Sequence, residues 1–217
     1  MLSKFLRAAF TRGGGTPASV SYRASYSSTT DATSYTFSAA DIGSATNRSL
    51  VVITLHYANN VGVTSVTIGG VSATSVRQVG AGLMTNIFSA AGVTGATGDI
   101  VITLAGTAAR CLVGVYALYN LRSTTHYDSD ETFTLGGTTL SRTVDTIVDG
   151  VVIAAGSANA LRTFAWTGAT ENYDTQLEAA HTYSAASDVT TSNTTTTVSL
   201  TITGGSAGIT YAIATWR

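Results

Sequence analysis

The sequence predicts an all-β fold, an antiparallel β-sandwich of the jelly-roll or Ig-like type, with a short helical arm at its N-terminus. Short apolar segments alternate with polar residues and are separated by turn residues about every ten positions, a spacing typical of sandwiches and barrels. The same order of segments also occurs twice along the chain. Long helical patterns are missing after the first residues, which argues against βαβ units.

Three segments show the strand pattern most clearly, because apolar and polar side chains alternate along them. Each segment has one apolar face. Its residues are Val51, Ile53, Leu55 and Tyr57 in the first segment, Ile100, Ile102 and Leu104 in the second, and Val198, Leu200 and Ile202 in the third. In the first segment the opposite face is formed by Val52, Thr54 and His56. We expect one buried and one wetter face in each segment, and therefore antiparallel sheets. His56 is interpreted as a structural or surface residue.

An internal duplication accounts for most of the chain. The matching blocks are residues 51–53 with 151–153, 88–91 with 183–186, 100–104 with 198–202, and 113–117 with 211–215. The repeat divides the chain into an arm with a glycine hinge (1–18), a first half (19–121) and a second half (122–217). The halves form either two sandwiches or one larger sandwich, and the lack of a Pro/Ser-rich linker favours tight packing between them.

Turn signals separate the strands. Gly69-Gly70 and Gly136-Gly137 can adopt positive φ and predict hairpin turns. Residues 188–197 are rich in threonine and predict a long hydroxyl-rich hairpin loop before Val198. The glycines of 92–98 lead into a strand rather than a helix, so they lack the helix N-terminus of a phosphate-binding loop.

Composition restricts the functional classes. Charged residues make up 11% of the chain against about 25% in typical soluble domains. Repulsion therefore protects the surface poorly against association, which favours a subunit of an assembly, including a homo-oligomer, over a soluble monomer. The net charge of −1 gives no excess of positive charge that would indicate binding to nucleic-acid phosphates. The chain lacks the ~20 apolar residues of a membrane span.

The first twelve residues differ from the rest. Apolar residues with helical spacing form one stripe, and cations lie largely off it, which predicts a short amphipathic helix. Arg7 interrupts the apolar run, so a signal peptide is not expected. Gly13-Gly14-Gly15 forms a hinge that Pro17 ends. We expect a partner-docking arm, with a frayed terminus as the alternative; its predicted contact residues are Leu2, Lys4, Phe5, Leu6, Arg7, Phe10 and Arg12.

Residues that could carry chemistry are few and scattered. The three histidines, His56, His126 and His181, have no metal-binding spacing. Cys111, the single cysteine, lies in an apolar strand, where a buried structural thiol is expected.

Carboxylates form two groups along the chain. The acidic segment 128–131 predicts a solvated loop, with a calcium site as the less favoured reading. Asp174 and Glu178, after Glu171, could act as acid and base only if they share a cleft. We therefore predict no catalytic, cofactor or metal residues.

Tyrosine is the most abundant aromatic residue, with ten copies. Together with Ser, Thr and Gly it suits adaptable binding surfaces and could stack on sugars. Ordinary strand tyrosine in a sandwich is the favoured explanation.

Several segments resemble β-sandwich structural proteins encoded by tailed bacteriophages and prophages. They are YTFSAADIG at 35–43, RSLVV at 48–52, VTIGGVSAT at 66–74, VGVYAL at 113–118, GVVIAA at 150–155 and AIATW at 212–216. The resemblance implies a non-enzymatic virion protein of the capsid decoration or vertex, head-fibre or tail-associated type, assembled in the host cytoplasm. Its partners would be capsid, portal or tail proteins. The alternative is a carbohydrate-binding module for host-surface glycans.

Overall fold

A computed structural model describes residues 16–80, 82–177 and 180–217. These residues form only strands and connecting loops, and every strand pair is antiparallel, so the all-β antiparallel prediction is confirmed. The predicted helical arm lies outside them. The strands are β1 (Ser19–Ser28), β2 (Ala32–Asp41), β3 (Arg48–Ala58), β4 (Val63–Ile68), β5 (Val71–Ser72), β6 (Thr74–Gly80), β7 (Leu83–Ala91), β8 (Thr97–Tyr119), β9 (Asp128–Gly137), β10 (Thr139–Asp145), β11 (Gly150–Ala158), β12 (Thr163–Thr167), β13 (Thr170–Leu177), β14 (His181–Thr190), β15 (Thr195–Thr203) and β16 (Ala207–Trp216).

The first half contains two sheets that share the long strand β8. Up to Ala108, β8 pairs with β2 and β4, and β4 also pairs with β5; we call this the first outer sheet. From Ala109 onward, β8 belongs to a second sheet with the order β1-β8-β3-β7-β6, the first inner sheet. Arg110, with a φ of 54°, lies at the crossover between the two sheets.

The second half has the same strand order. Its inner sheet runs β9-β16-β11-β14-β13 and its outer sheet runs β10-β15-β12. Strands β15 and β16 take the places of the two parts of β8. The link between them contains Gly204 and Gly205, whose φ values of 93° and 111° suit glycine. The duplicated sequence therefore forms two copies of one pattern of strand pairing.

The sheets stack in four layers, with the two inner sheets packed face to face in the middle. Three apolar interiors separate the layers. Val51 and Ile100 belong to the interior between the first outer and inner sheets, and Val152 and Leu200 to its counterpart in the second half. The third interior lies between the two inner sheets and draws its residues from both halves. The second half thus forms a continuous body with the first.

Burial along the inner strands differs from the sequence prediction. Val52, Thr54 and His56 were expected on a wetter face, but each is fully buried. The prediction is wrong because this face of β3 contacts the other half of the chain, a long-range contact that alternation within one strand does not reveal. In the outer sheets the prediction is confirmed: Leu200 is buried on β15, whereas Thr201 is exposed.

The sequence alignment of the two repeats is wrong by one residue in two blocks. Val51 belongs to the interior of the first half, whereas Val151, matched to it, lies between the inner sheets. Phe88 and Tyr183 differ in the same way. A shift of one residue along a strand exchanges its faces, and where both faces are buried the apolar residues do not alternate, so the sequence does not define the register.

The turns agree only in part with the predictions. Gly69 and Gly70 have positive φ and join β4 to β5, as expected. Gly136 and Gly137 lie at the end of β9 and are not among the positive-φ glycines, so the turn predicted there is wrong. Residues 188–197 are strand at both ends, which limits the threonine loop to 191–194.

Replacing Trp216 with alanine tests how strongly the middle interior stabilises the fold. Trp216 is 1% exposed and lies on β16, which is paired on both edges. We expect Trp216→Ala to lower the free energy of unfolding by about 3–5 kcal/mol, measured by urea denaturation. Leu161→Ala, at a side chain that is 39% exposed, is the control and should cost under about 1 kcal/mol. Equal losses in both variants would contradict a stabilising interior between the halves.

Candidate functional site

The predicted docking residues of the arm, Leu2, Lys4, Phe5, Leu6, Arg7, Phe10 and Arg12, lie outside the described residues. The described chain begins at Thr16, where it is attached to the edge of the first inner sheet. The Asn120 side-chain amide donates to the Pro17 carbonyl at 3.4 Å, and Ser19 pairs with Tyr119. Any contact made by the arm therefore starts from the β1 edge.

A chain of buried polar groups crosses between the inner sheets. The Tyr173 hydroxyl lies 2.8 Å from both Thr54 Oγ1 and His56 Nε2. His56 Nδ1 lies 2.9 Å from Ser157 Oγ. Ser157 Oγ is 2.6 Å from Thr85 Oγ1, which is 2.8 Å from Thr210 Oγ1. This series of hydrogen-bonded side chains, which we call the polar chain, joins β3 and β7 of the first half to β11, β13 and β16 of the second.

The environment of His56 keeps the side chains of the polar chain uncharged. Burial lowers the pKa of His56 from 6.5 to about 3, because the charged imidazolium would lose its hydration. Burial also raises the pKa of Tyr173 well above its usual range. A neutral imidazole has one donor and one acceptor, and each hydroxyl can act as either, so every link can form at neutral pH.

The His56–Ser157 pair has the hydrogen-bond distance of a base and a nucleophile, but its surroundings do not suit catalysis. Both residues are 0% exposed, so a substrate has no access to the serine oxygen. The arrangement instead satisfies polar groups where the halves meet. Sequence reasoning missed it, although polar residues on the second face of the otherwise apolar strands β3, β7 and β11 were a visible signal.

The carboxylates considered for acid–base chemistry serve the structure or lie outside its described part. Asp174 Oδ2 accepts from the Phe164 backbone N–H at 2.9 Å, and burial raises the pKa of this carboxyl. Burial, with a smaller contribution from Asp174, raises the pKa of Glu171. Glu178 lies outside the described residues.

The acidic segment 128–131 is not the solvated loop that the sequence predicted. It forms the start of β9, and Ser129 is buried. Arg77, from β6 of the first half, donates to the Ser129 carbonyl at 2.6 Å and lies 3.5 Å from the Glu131 carboxylate. Arg142 lies 3.2 Å from Asp130. Arginines from both halves therefore hold this strand, a long-range arrangement that the local run of acids does not indicate.

A groove of about 420 Å³ lies beside this segment, where β6 and β9 meet. It is lined by Gln78, Val79, Gly80, Glu131, Thr132 and Phe133. Phe133 is 52% exposed, and Leu135, two residues further along β9, is 77% exposed. β9 pairs with β16 alone, so these apolar side chains belong to an edge strand.

Most tyrosines lie in the interior, as expected for strand residues of a sandwich. Six of the ten are buried: Tyr35, Tyr57, Tyr116, Tyr173, Tyr183 and Tyr211. Tyr127 is 40% exposed, and its ring carries the Arg217 guanidinium at 5.1 Å. Trp216 is buried as well.

The remaining sequence interpretations concern Cys111, metal-binding groups and membrane-spanning helices. Cys111 is fully buried, as predicted, and burial raises the pKa of its thiol far above the usual range. Within 16–80, 82–177 and 180–217, three or more metal-binding side chains do not come together in any group. In the same ranges, a helix long and apolar enough to cross a membrane does not occur.

Comparisons with protein-family models, with curated protein sequences and with solved structures find no match to this chain.

Acidification should destabilise the protein through His56. Below about pH 6.5 the unfolded chain binds a proton at this residue, whereas the folded chain does not until about pH 3. This contribution to stability is therefore complete above pH 6.5 and is lost as the pH falls, by roughly 3 kcal/mol between pH 6.5 and pH 4. Urea unfolding at several pH values measures it.

His56→Gln removes the titrating group and should flatten that part of the pH dependence, although it lowers stability at pH 7. His126→Gln, outside the polar chain, is the matched control and should keep the slope of the unchanged protein. If the free energy of unfolding of His56→Gln depended on pH as strongly as that of the unchanged protein, the assignment of this pH dependence to His56 would be contradicted.

Gly114 tests the close packing around the polar chain. A Cβ at this position would lie 2.5 Å from Tyr173 Cε1 and 2.6 Å from Thr54 Oγ1. We expect Gly114→Ala to lower the free energy of unfolding by about 1–3 kcal/mol, because neither neighbour can move without breaking its hydrogen bond. Gly136→Ala, where a Cβ would meet nothing within 4 Å, is the control. Thermal unfolding of the two variants gives the comparison, and equal midpoints would argue against tight packing at Gly114.

Proposed function

We propose that this protein is a non-enzymatic structural subunit of a bacteriophage particle, attached through its N-terminal arm. It would be a capsid decoration or vertex, head-fibre or tail-associated subunit, and its partners would be other virion proteins and further copies of itself. The observation that carries the proposal is a four-layer body of described residues that is preceded in the sequence by an amphipathic basic segment. A body of this kind provides shape and stability, and the segment provides attachment.

The strand order supports a jelly-roll interpretation of each half. A jelly roll places its first, eighth, third and sixth strands in one sheet and its second, seventh, fourth and fifth in the other. Here β1, the second part of β8, β3 and β7 form the first inner sheet in that order. The fifth strand begins as β5 beside β4 and continues as β6 beside β7. Jelly rolls are common in viral capsid proteins and also in lectins.

The polar chemistry supports a structural role over an enzymatic one. The histidine and serine with suitable geometry, His56 and Ser157, are sealed between the halves. The described carboxylates Asp174 and Asp128 accept hydrogen bonds from backbone N–H groups within the fold. These groups hold strands together, which is what a durable particle component requires.

The glycan-binding alternative receives less support. It depends on exposed aromatic rings that stack on sugars, and most of the tyrosines are buried. Trp166 is half-buried, and its indole N–H donates to Ser184 Oγ at 2.8 Å, which holds the ring inside the second half. We therefore do not propose a sugar site.

Removing residues 1–15 should abolish attachment and leave the body folded. In the host that produces the particles, a tagged full-length chain should sediment with them, whereas the truncated chain should stay in the soluble fraction, as followed by immunoblot. Circular dichroism would check that the strand content of the truncated chain is unchanged.

A chain with the arm residues in scrambled order is the matched control for this deletion. It keeps the arm's charge and composition but breaks the apolar stripe, so it should also fail to attach. Full incorporation of the truncated chain would overturn the anchoring role, and electron microscopy of labelled particles would give the subunit's location.

A further inference from the structure

We propose that the groove between β6 and β9 binds the N-terminal arm, residues 1–12, of a second copy of this chain. The inference rests on the arm-docking part of the proposed function and names the partner. It follows from a difference between the two long edges of the inner-sheet pair.

The edge along β1 is closed by aromatic side chains. Val20 and Tyr22 pack onto the middle interior, and the Tyr22 ring lies 5.4 Å from that of Tyr116 and 5.7 Å from that of Tyr173. Strand β9 has the same place in the second inner sheet that β1 has in the first. Its edge, however, contains the groove of about 420 Å³.

The groove has an apolar wall that the body leaves uncovered. Phe133 lines the groove, and Leu135 follows it two residues later on the same edge strand. They are the two most exposed large apolar side chains of the described residues, at 52% and 77%. An exposed apolar edge strand is a template for association and is normally protected. The apolar stripe formed by Leu2, Phe5, Leu6 and Phe10 matches it in character.

Charge favours the same occupant. The start of β9 carries Asp128, Asp130 and Glu131, and the adjacent cations are Arg77 and Arg142, which leaves this region net negative. The arm carries Lys4, Arg7 and Arg12, and the first acidic residue of the chain is Asp31. The basic arm and the acidic rim therefore attract each other.

Chain length favours the arm of a second copy. The arm of the same chain starts at β1, four strand spacings or ~19 Å from β6 across the first inner sheet. Residues 13–15 span at most about 10 Å, so part of the arm itself would have to cover the remaining distance to its own groove, whereas a second copy can place all twelve residues there. The contact is then head-to-tail, and repetition of it builds a ring or a filament.

Two single-cysteine variants of the purified full chain test the contact directly. A Phe5→Cys chain and a Leu135→Cys chain are mixed and oxidised, and a disulfide between these positions can join only different copies. We expect a covalent two-chain product on a non-reducing gel. Leu161→Cys replaces Leu135→Cys in the control, which should give little product because Leu161 lies in the loop before β12. Cys111 is buried and common to all chains.

The double variant Phe5→Cys/Leu135→Cys distinguishes the occupants. A disulfide confined to single chains would place the arm in its own groove and overturn the proposal. A mixture whose product does not exceed that of the Leu161→Cys control would overturn it too.

Association provides a second measurement. Phe133→Asp should weaken self-association by about tenfold or more in sedimentation experiments, because it removes apolar contact and adds an exposed charge. Phe133 is half-exposed, so the variant should keep its strand content. Association as strong as that of the unchanged chain would overturn the groove assignment.

Failure here is distinct from failure of the proposed function. If purified chains do not cross-link but arm-dependent incorporation into particles persists, the arm binds a different virion protein. If cross-linking succeeds and the chain never sediments with particles, only the virion assignment fails.

Discussion

The face-to-face packing of the two inner sheets determines most of what is unusual in this molecule. Each inner sheet is covered by an outer sheet on one face and by the other half of the chain on the second face. Strands such as β3 and β11 are therefore buried along nearly their whole length. Antiparallel sheets more often have one solvated face, and here the duplication removes it.

Because both faces of these strands are buried, their polar side chains need hydrogen-bond partners within the protein, and the polar chain provides them. Any polar side chain on the second face of an inner strand loses its contact with water and needs a partner within the protein. Thr54 and His56 find theirs across the interface, in Tyr173 and Ser157. The partners come from different halves, so the hydrogen bonds also favour one alignment of the inner sheets over slipped ones. Gly114 belongs to the same arrangement, because the tyrosine ring occupies the space of a side chain there.

The two halves share their strand order, but their edge strands β1 and β9 differ in what they expose. The β1 edge is closed by Val20 and Tyr22, whereas the β9 edge exposes Phe133 and Leu135 beside Glu131. The arm precedes only the first half. The head-to-tail contact that we propose depends on this difference between a closed and an open edge.

Local pattern was enough to predict the all-β class, the antiparallel pairing, the burial of Cys111 and the alternation of β15. Each depends on a few consecutive side chains, and a period of two is visible in the sequence. The duplication was also visible, but its register was not. Where a strand is apolar on both faces, as around Val51 and Val151, shifting it by one residue leaves the pattern unchanged.

The contacts between the halves were decided by the tertiary structure alone. His56 contacts Ser157 and Tyr173, and Arg77 contacts the start of β9, across about fifty to over a hundred positions of the sequence. The groove at Phe133 also exists only because β6 of the other half lies beside β9. Sequence pattern specifies which face of a strand is apolar, but which surface covers that face depends on how complete sheets pack together.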